Sequence, residues 1–280
     1  MLHGVAVSVK IVEFCSLCVN LDSKSNKTHQ ALVGCSACLI WVQFEHTAGN
    51  VLRFAVIILN SILIMEIKMQ TKVIIIRHGQ SIANAQGICL GHTDWDLTDE
   101  GRRQAEIAAE YLKNERLDAI YSSDLIRAYN TALPHARLRG MKIICSKQLR
   151  EIYLGAWECK SHEEMHRLYP EEFTKGWRQN FGVCQVPGGE SVPAAGERLY
   201  KEICRIASMH PGGTVLVASH AAAIRSFWGK VAGIPPEELN DAVDYPLNAS
   251  CTTVVFDGET LSPVAYSDAH YFDEIEHHGA

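Results

Sequence analysis

The chain has 280 residues, 47% of them apolar, which is enough for one large or two modest domains with a real core. Its formal net charge of −6 argues against a nucleic-acid partner. The charge is uneven: residues 1–68 carry five basic and four acidic side chains, and the remainder 21 and 28. An anion-binding site in that acidic remainder must therefore rest on a few well-placed arginines.

Residues 1–68 read differently from the rest of the chain. Their pattern is poor, and Pro is absent. Two apolar stretches, 31–44 and 54–65, fall short of the roughly 20 residues a membrane helix needs. No basic segment followed by an apolar core and a small-residue cleavage site opens the chain, so neither secretion nor membrane association is expected. Cys15-x-x-Cys18 and Cys35-x-x-Cys38 have zinc-ribbon spacing. Val19 and Leu39-Ile40 after the second cysteines are poor knuckle residues, so free thiols, or a segment outside the natural protein, are the competing readings. Met65-Glu66 requires ATG-GAR, a ribosome-binding-like sequence two codons before Met69. Residues 1–68 are therefore expected to be an N-terminal extension from an over-long gene assignment, with the working domain at 69–280. The other cysteines, Cys89, Cys145, Cys159, Cys184, Cys204 and Cys251, have no framework spacing and read as reduced thiols of a cytoplasmic protein.

From residue 69 the pattern alternates between strand and helix. Residues 72–76 form an apolar strand. Thr98 is a helix N-cap, with Asp99 and Glu100 in the first turn and Ala105, Ala108, Ala109 and Leu112 on one face. A short strand is predicted at 118–121. A helix is predicted at 125–138, kinked or shifted by Pro134, and a strand at 142–145. Ser161-His162-Glu163-Glu164 has the form of a capping box. A long helix spans 190–209, a strand 214–218 and a helix 221–231. Strands at 251–256 and 261–266 close around an Asp257-Gly258 turn. This order predicts an α/β protein, a three-layer α/β/α sandwich with a mainly parallel central sheet.

Five segments carry chemistry. The first strand ends in Arg77-His78-Gly79-Gln80-Ser81, with Asn84 one turn on. Gly91-His92-Thr93-Asp94 precedes the Thr98 cap. Tyr121-Ser122-Ser123-Asp124-Leu125-Ile126-Arg127 follows the second strand, and Leu149-Arg150-Glu151-Ile152 the third. Ala218-Ser219-His220 ends the fourth, with Arg225 nearby. Arginine grips phosphoryl oxygens with a bidentate fork, and a neutral imidazole can attack phosphorus. In a parallel sheet the strand C-termini face one crevice, so two histidines, two arginines and a glutamate could meet there.

Taken in order, these segments resemble the histidine phosphatase superfamily, the phosphoglycerate mutase-like fold, over residues 69–266. The resemblance implies that His78 is the nucleophile that becomes phosphohistidine, and that Arg77, Arg127 and His220 hold the phosphoryl oxygens. It implies that Glu151 is the general acid and then the base, and that Asn84 lines the phosphate pocket. His92 is a further substrate-binding candidate, balanced against a loop-capping role. Arg225 reads as a structural or rim residue more than a ligand. Trp157, Trp177 and Phe181 read as core packing more than as a lid. No metal and no cofactor are expected, because the Arg and His cluster takes the charge. Two departures stand out: Ala221 follows His220 where the family has Gly, and Cys159 follows Trp157-Glu158 where the phosphatase branch has Gly. The short 155–187 stretch resembles the compact phosphatases, including the α-ribazole and broad-specificity types. The expected activity is thus a metal-independent phosphomonoesterase whose partner is a small phosphorylated metabolite. The alternatives are a phosphoglycerate mutase and a catalytically silent phosphate-binding module. Whether the chain self-associates stays open.

Overall fold

The computed structural model describes residues 8–12, 28–35, 38–45 and 70–272. The chain divides into two units, Met1–Lys68 and Met69–Ala280. In the first, β1 (Ser8–Val12), β2 (Thr28–Cys35) and β3 (Cys38–Glu45) form an antiparallel sheet in the order β1-β3-β2. The apolar run at 31–44 is therefore mostly two paired strands, with Cys35 in register with Cys38. Cys15, Cys18 and the 54–65 stretch lie outside the described residues.

The second unit is built on a six-stranded sheet. Its strands are β4 (Thr71–Arg77), β6 (Ala119–Ser122), β7 (Ile143–Cys145), β9 (Thr214–Ser219), β10 (Cys251–Phe256) and β11 (Leu261–Asp268). The order is β11-β10-β4-β9-β6-β7. The β4–β9, β6–β9 and β6–β7 pairings are parallel, and β10 closes antiparallel onto β4. A small ribbon of β5 (Ile88–Cys89) and β8 (Lys160–Ser161) stands apart.

Period-two alternation assigns each strand residue to a face. Val73, Ile75, Tyr121, Val215 and Val217 pack with Leu199, Ile203, Ile224 and Phe227, from the helices Val192–Ser208 and Ala221–Val231. Ile74, Ile76, Ile120, Leu216 and Ala218 pack with Ile107, Ala108, Ala128 and Ala132, from the helices Asp99–Tyr111 and Ile126–Arg139. Both faces are covered, which is why the central strands read as unbroken apolar runs. A third core of Ile152, Trp157, Met165, Phe173, Phe181 and Leu239 lies outside the sandwich.

The local signals act as expected at most boundaries. The Thr98 hydroxyl accepts from Gly101 N–H at 3.0 Å. Ser161 and Glu164 close a reciprocal capping box on the helix His162–Leu168. The long helix begins later than residue 190, because Ser191 caps it and Pro193 occupies its first turn. Pro134 does not end its helix: Ile126–Arg139 runs through it and stops at Gly140, whose φ of 61° is left-handed. Buried Pro134 and its neighbours supply packing that outweighs the lost N–H bond.

Candidate active site

The strand register explains the site. Arg77 lies opposite Ser219 across the β4–β9 pair, and His78 N–H donates to Ser219 O at 3.0 Å. The residues that leave these two adjacent strand ends, His78 and His220, therefore meet, with ring centroids 5.2 Å apart. Ser123 N–H donates to Ala218 O at 2.9 Å, which brings the Arg127 segment alongside. Gly79 is needed for a backbone approach: a Cβ there would lie 2.3 Å from Gly101 O, at the start of the Asp99–Tyr111 helix.

His78 is buried, and its Nδ1 pairs with Gly79 O at 2.7 Å. A carbonyl can only accept, so Nδ1 carries the proton and the lone pair is on Nε2. Burial, with Arg127 and Arg77 adding to it, holds the His78 pKa well below the ordinary histidine value. Burial, Arg127 and His78 do the same to His220. Both imidazoles are thus neutral at physiological pH.

The arginines are fixed by the backbone. Arg127 donates from Nη1 to Thr93 O at 2.9 Å and from Nη2 to Gly91 O at 2.8 Å. Burial brings its pKa down to about 10, with Glu151 acting against the fall, so it stays charged. Arg77 donates to Pro246 O, while its buried Nε has no partner. Both ring nitrogens of fully buried His220 are likewise unpartnered. Unsatisfied buried polar atoms are costly, so a cluster of them beside one cavity marks a place for a polar ligand.

Glu151 sits at the start of the Ala221–Val231 helix. Its Oε1 accepts from Ile152 N–H at 2.9 Å and Ala223 N–H at 2.8 Å, and its Oε2 accepts from Ala222 N–H at 3.1 Å. Oε1 is saturated, whereas Oε2 keeps one lone pair for a proton. The other glutamates have separate work: Glu158 accepts from His92 N–H and the Thr93 hydroxyl, and Glu164 completes the capping box.

A cavity of about 490 Å³ joins these groups. Arg77, His78, Asn84, Arg127 and Glu151 line it, as does Ala221, whose extra methyl forms part of the wall. Asn84 Oδ1 accepts from Ser81 N–H at 3.1 Å, closing its own short helix cap. His92 does not line the cavity: its Nε2 pairs with Glu151 O at 2.8 Å, which steadies the Glu151 backbone. His220 is fully buried against His78, and both of its ring nitrogens are free to meet a ligand there. Arg225 does line the cavity, but its guanidinium is held by Val243 O at 2.7 Å and Asn240 O at 3.1 Å. It also packs against the Phe181 and Tyr245 rings, each centroid 4.5 Å away, where those rings meet edge to face. Trp157 and Phe181 are core residues, whereas Trp177 and Phe173 form cavity wall.

Sequence reasoning missed three contributors. Arg198 donates to Gln148 O, Arg150 O and Glu151 O and forks onto Glu190 at 2.9 and 2.8 Å, fastening the Glu151 loop. Asn248 donates to His78 O at 3.0 Å. Arg178, from the wide-turned Pro170–Arg178 segment, lines the cavity. Arg198 is spaced along a helix and Asn248 lies in a loop, so neither carries a local signal. Arg178 falls in the 155–187 stretch, where no motif singles it out.

A three-layer sandwich that gathers a neutral histidine, two buried arginines and a glutamate at its strand ends is built to handle phosphoryl groups. The chain belongs to the histidine phosphatase superfamily (branch 1), whose sequence profile matches residues 73–269. It is 34% identical over 163 residues to phosphoserine phosphatase 1 of Hydrogenobacter thermophilus, covering 58% of this chain and 77% of that one. It is 30% identical over 207 residues to phosphoglycerate mutase-like protein 4 of Arabidopsis thaliana, covering 72% and 87%. Among solved structures, a mycobacterial glucosyl-3-phosphoglycerate phosphatase superposes with a TM-score of 0.65 at 26% identity, covering 71% of this chain and 99% of its own. YhfR of Bacillus stearothermophilus gives 0.68 at 29%, covering 72% and 98%. The chain is a phosphoric monoester hydrolase of this superfamily.

Proposed function

We propose that this chain hydrolyses the phosphate monoester of a small metabolite through a phosphohistidine on His78. The observation that carries this reading is the anchored His78: its Nδ1 is fixed to Gly79 O, and the ring is held neutral in a cavity shared with Arg77, Arg127 and Glu151. Nε2 attacks phosphorus while the P–O bond to the alcohol breaks, and Glu151 Oε2 passes its proton to the leaving oxygen. Water then attacks the phosphohistidine, the carboxylate takes a proton from it, and the P–N bond breaks to restore Nε2. Arg77 and Arg127 stabilise the charge spread over the equatorial oxygens, and the one ring N–H of neutral His220, which has no protein partner, donates to one of them. These groups supply the charge that a metal ion would otherwise supply, so chelators are expected to leave the rate unchanged. The free thiols among the described residues support a cytoplasmic location.

A mutase is the second reading, favoured by the likeness to the mutase-like Arabidopsis protein. Phosphorus NMR with 3-phosphoglycerate and a panel of small phosphomonoesters separates the two, with His78→Ala as control. Inorganic phosphate released only with intact His78 is the expected result. Conversion to 2-phosphoglycerate with little free phosphate overturns it.

A further inference from the structure

We infer that Arg178 binds a carboxylate on the alcohol portion of the substrate, so that this site takes phosphate esters of small carboxylic acids; the inference rests on the phosphatase reading. The cavity, about 490 Å³, is much larger than one phosphoryl group and has room for an organic portion. Four arginines line it, and three are engaged. Arg127 holds Thr93 and Gly91 carbonyls, Arg77 holds Pro246 O, and Arg225 holds the 239–243 backbone and packs against two aromatic rings. Arg178 has no hydrogen bond and no ion pair among the described residues, and its guanidinium rests 5.7 Å from the centre of the Phe173 ring. Lys175, on the same segment, is by contrast paired with Glu171 at 2.6 Å.

The charge of Arg178 is felt inside the cavity. Burial raises the Cys89 thiol to about 12, and Arg178 acts against that rise. Burial lowers the His162 pKa, and Arg178 lowers it further. Both residues are cavity wall, and so is Arg178, an exposed residue at the rim whose charge acts on the same space. A planar fork resting on an aromatic face is suited to a carboxylate. Arg77 and Arg127 follow strand ends beside His78, whereas Arg178 comes from the segment outside the sandwich, which separates a phosphate end from a carboxylate end. Phosphoserine and glucosyl-3-phosphoglycerate, the esters that the relatives' names describe, each carry a carboxylate.

The test uses the full chain and two matched pairs: O-phosphoserine against O-phosphoethanolamine, and 3-phosphoglycerate against glycerol 1-phosphate. The kcat/KM ratio within each pair is expected to favour the carboxylate by about tenfold or more. Arg178→Gln should collapse that ratio toward one, and Arg178→Lys should restore part of it. A ratio near one in the unsubstituted protein, or one that Arg178→Gln leaves intact, overturns the inference while the phosphatase reading stands. No His78-dependent phosphate release from any ester overturns both.

Discussion

The role proposed for His78 needs two requirements to coincide in one ring. A carbonyl fixes the tautomer, and burial beside two guanidinium groups keeps the ring unprotonated. Titrating labelled imidazole by NMR should show His78 staying neutral as pH falls through the usual histidine range near 6.5, while exposed histidines protonate. Protonation of His78 at its ordinary value would refute the electrostatic account. Glu151→Gln keeps the three N–H contacts partly satisfied but cannot give up a proton. It should cut hydrolysis of alkyl phosphates by roughly 10²- to 10⁴-fold, and much less for esters with an acidic leaving group. Cys159 has a φ of 59°, a left-handed backbone that Gly adopts freely and Cys does not. Cys159→Gly should therefore raise unfolding stability by about 1 kcal/mol in urea, with the m-value unchanged.

At the scale of elements, the Glu151 loop has little regular structure and is held from outside. Arg198, on the Val192–Ser208 helix, donates to three successive parts of that loop and pairs with Glu190, both side chains mostly buried. Arg198→Met should lower kcat about 10- to 100-fold, because small misplacement of an acid costs that much. The KM for a small ester should change less, since Arg77 and Arg127 are anchored elsewhere. This fastening also marks the limit of what the sequence discloses. Strand runs, the Thr98 and Ser161 caps and the strand-end Arg77-His78 and Ser219-His220 pairs are legible because each has a local cause: period, cap chemistry or position after an apolar run. The partnership of Arg198 with a loop 47 residues away, the turning of His92 toward Glu151 O, and the packing of Arg225 against Phe181 and Tyr245 depend on where separate elements come to rest. Pro134 belongs with them, since local propensity favours a break that tertiary packing overrides.

For the second unit as a whole, acid stability follows from its buried neutral histidines. His78, His135 and His220 all have lowered pKa values, and burial brings His135, whose ring nitrogens have no partner, down to about 3. The unfolded chain takes up protons at these positions below pH 6.5 while the folded chain does not. Stability should thus fall as pH drops from 6.5 toward 3, by a few kcal/mol for His135 alone. His135→Leu should flatten the plot of urea midpoint against pH in that window; an unchanged slope would sink this explanation. The sheet order has a further outcome, in the timing of synthesis. Strand β4, which leads into His78, lies between β9 and β10, strands that begin more than 140 residues later in the chain. A ribosome has thus delivered His78 long before it delivers either neighbour, and no partial product can assemble the phosphate well. Hydrolysis is therefore expected only from nearly complete chains, with the apolar β4 shielded until the C-terminal strands emerge.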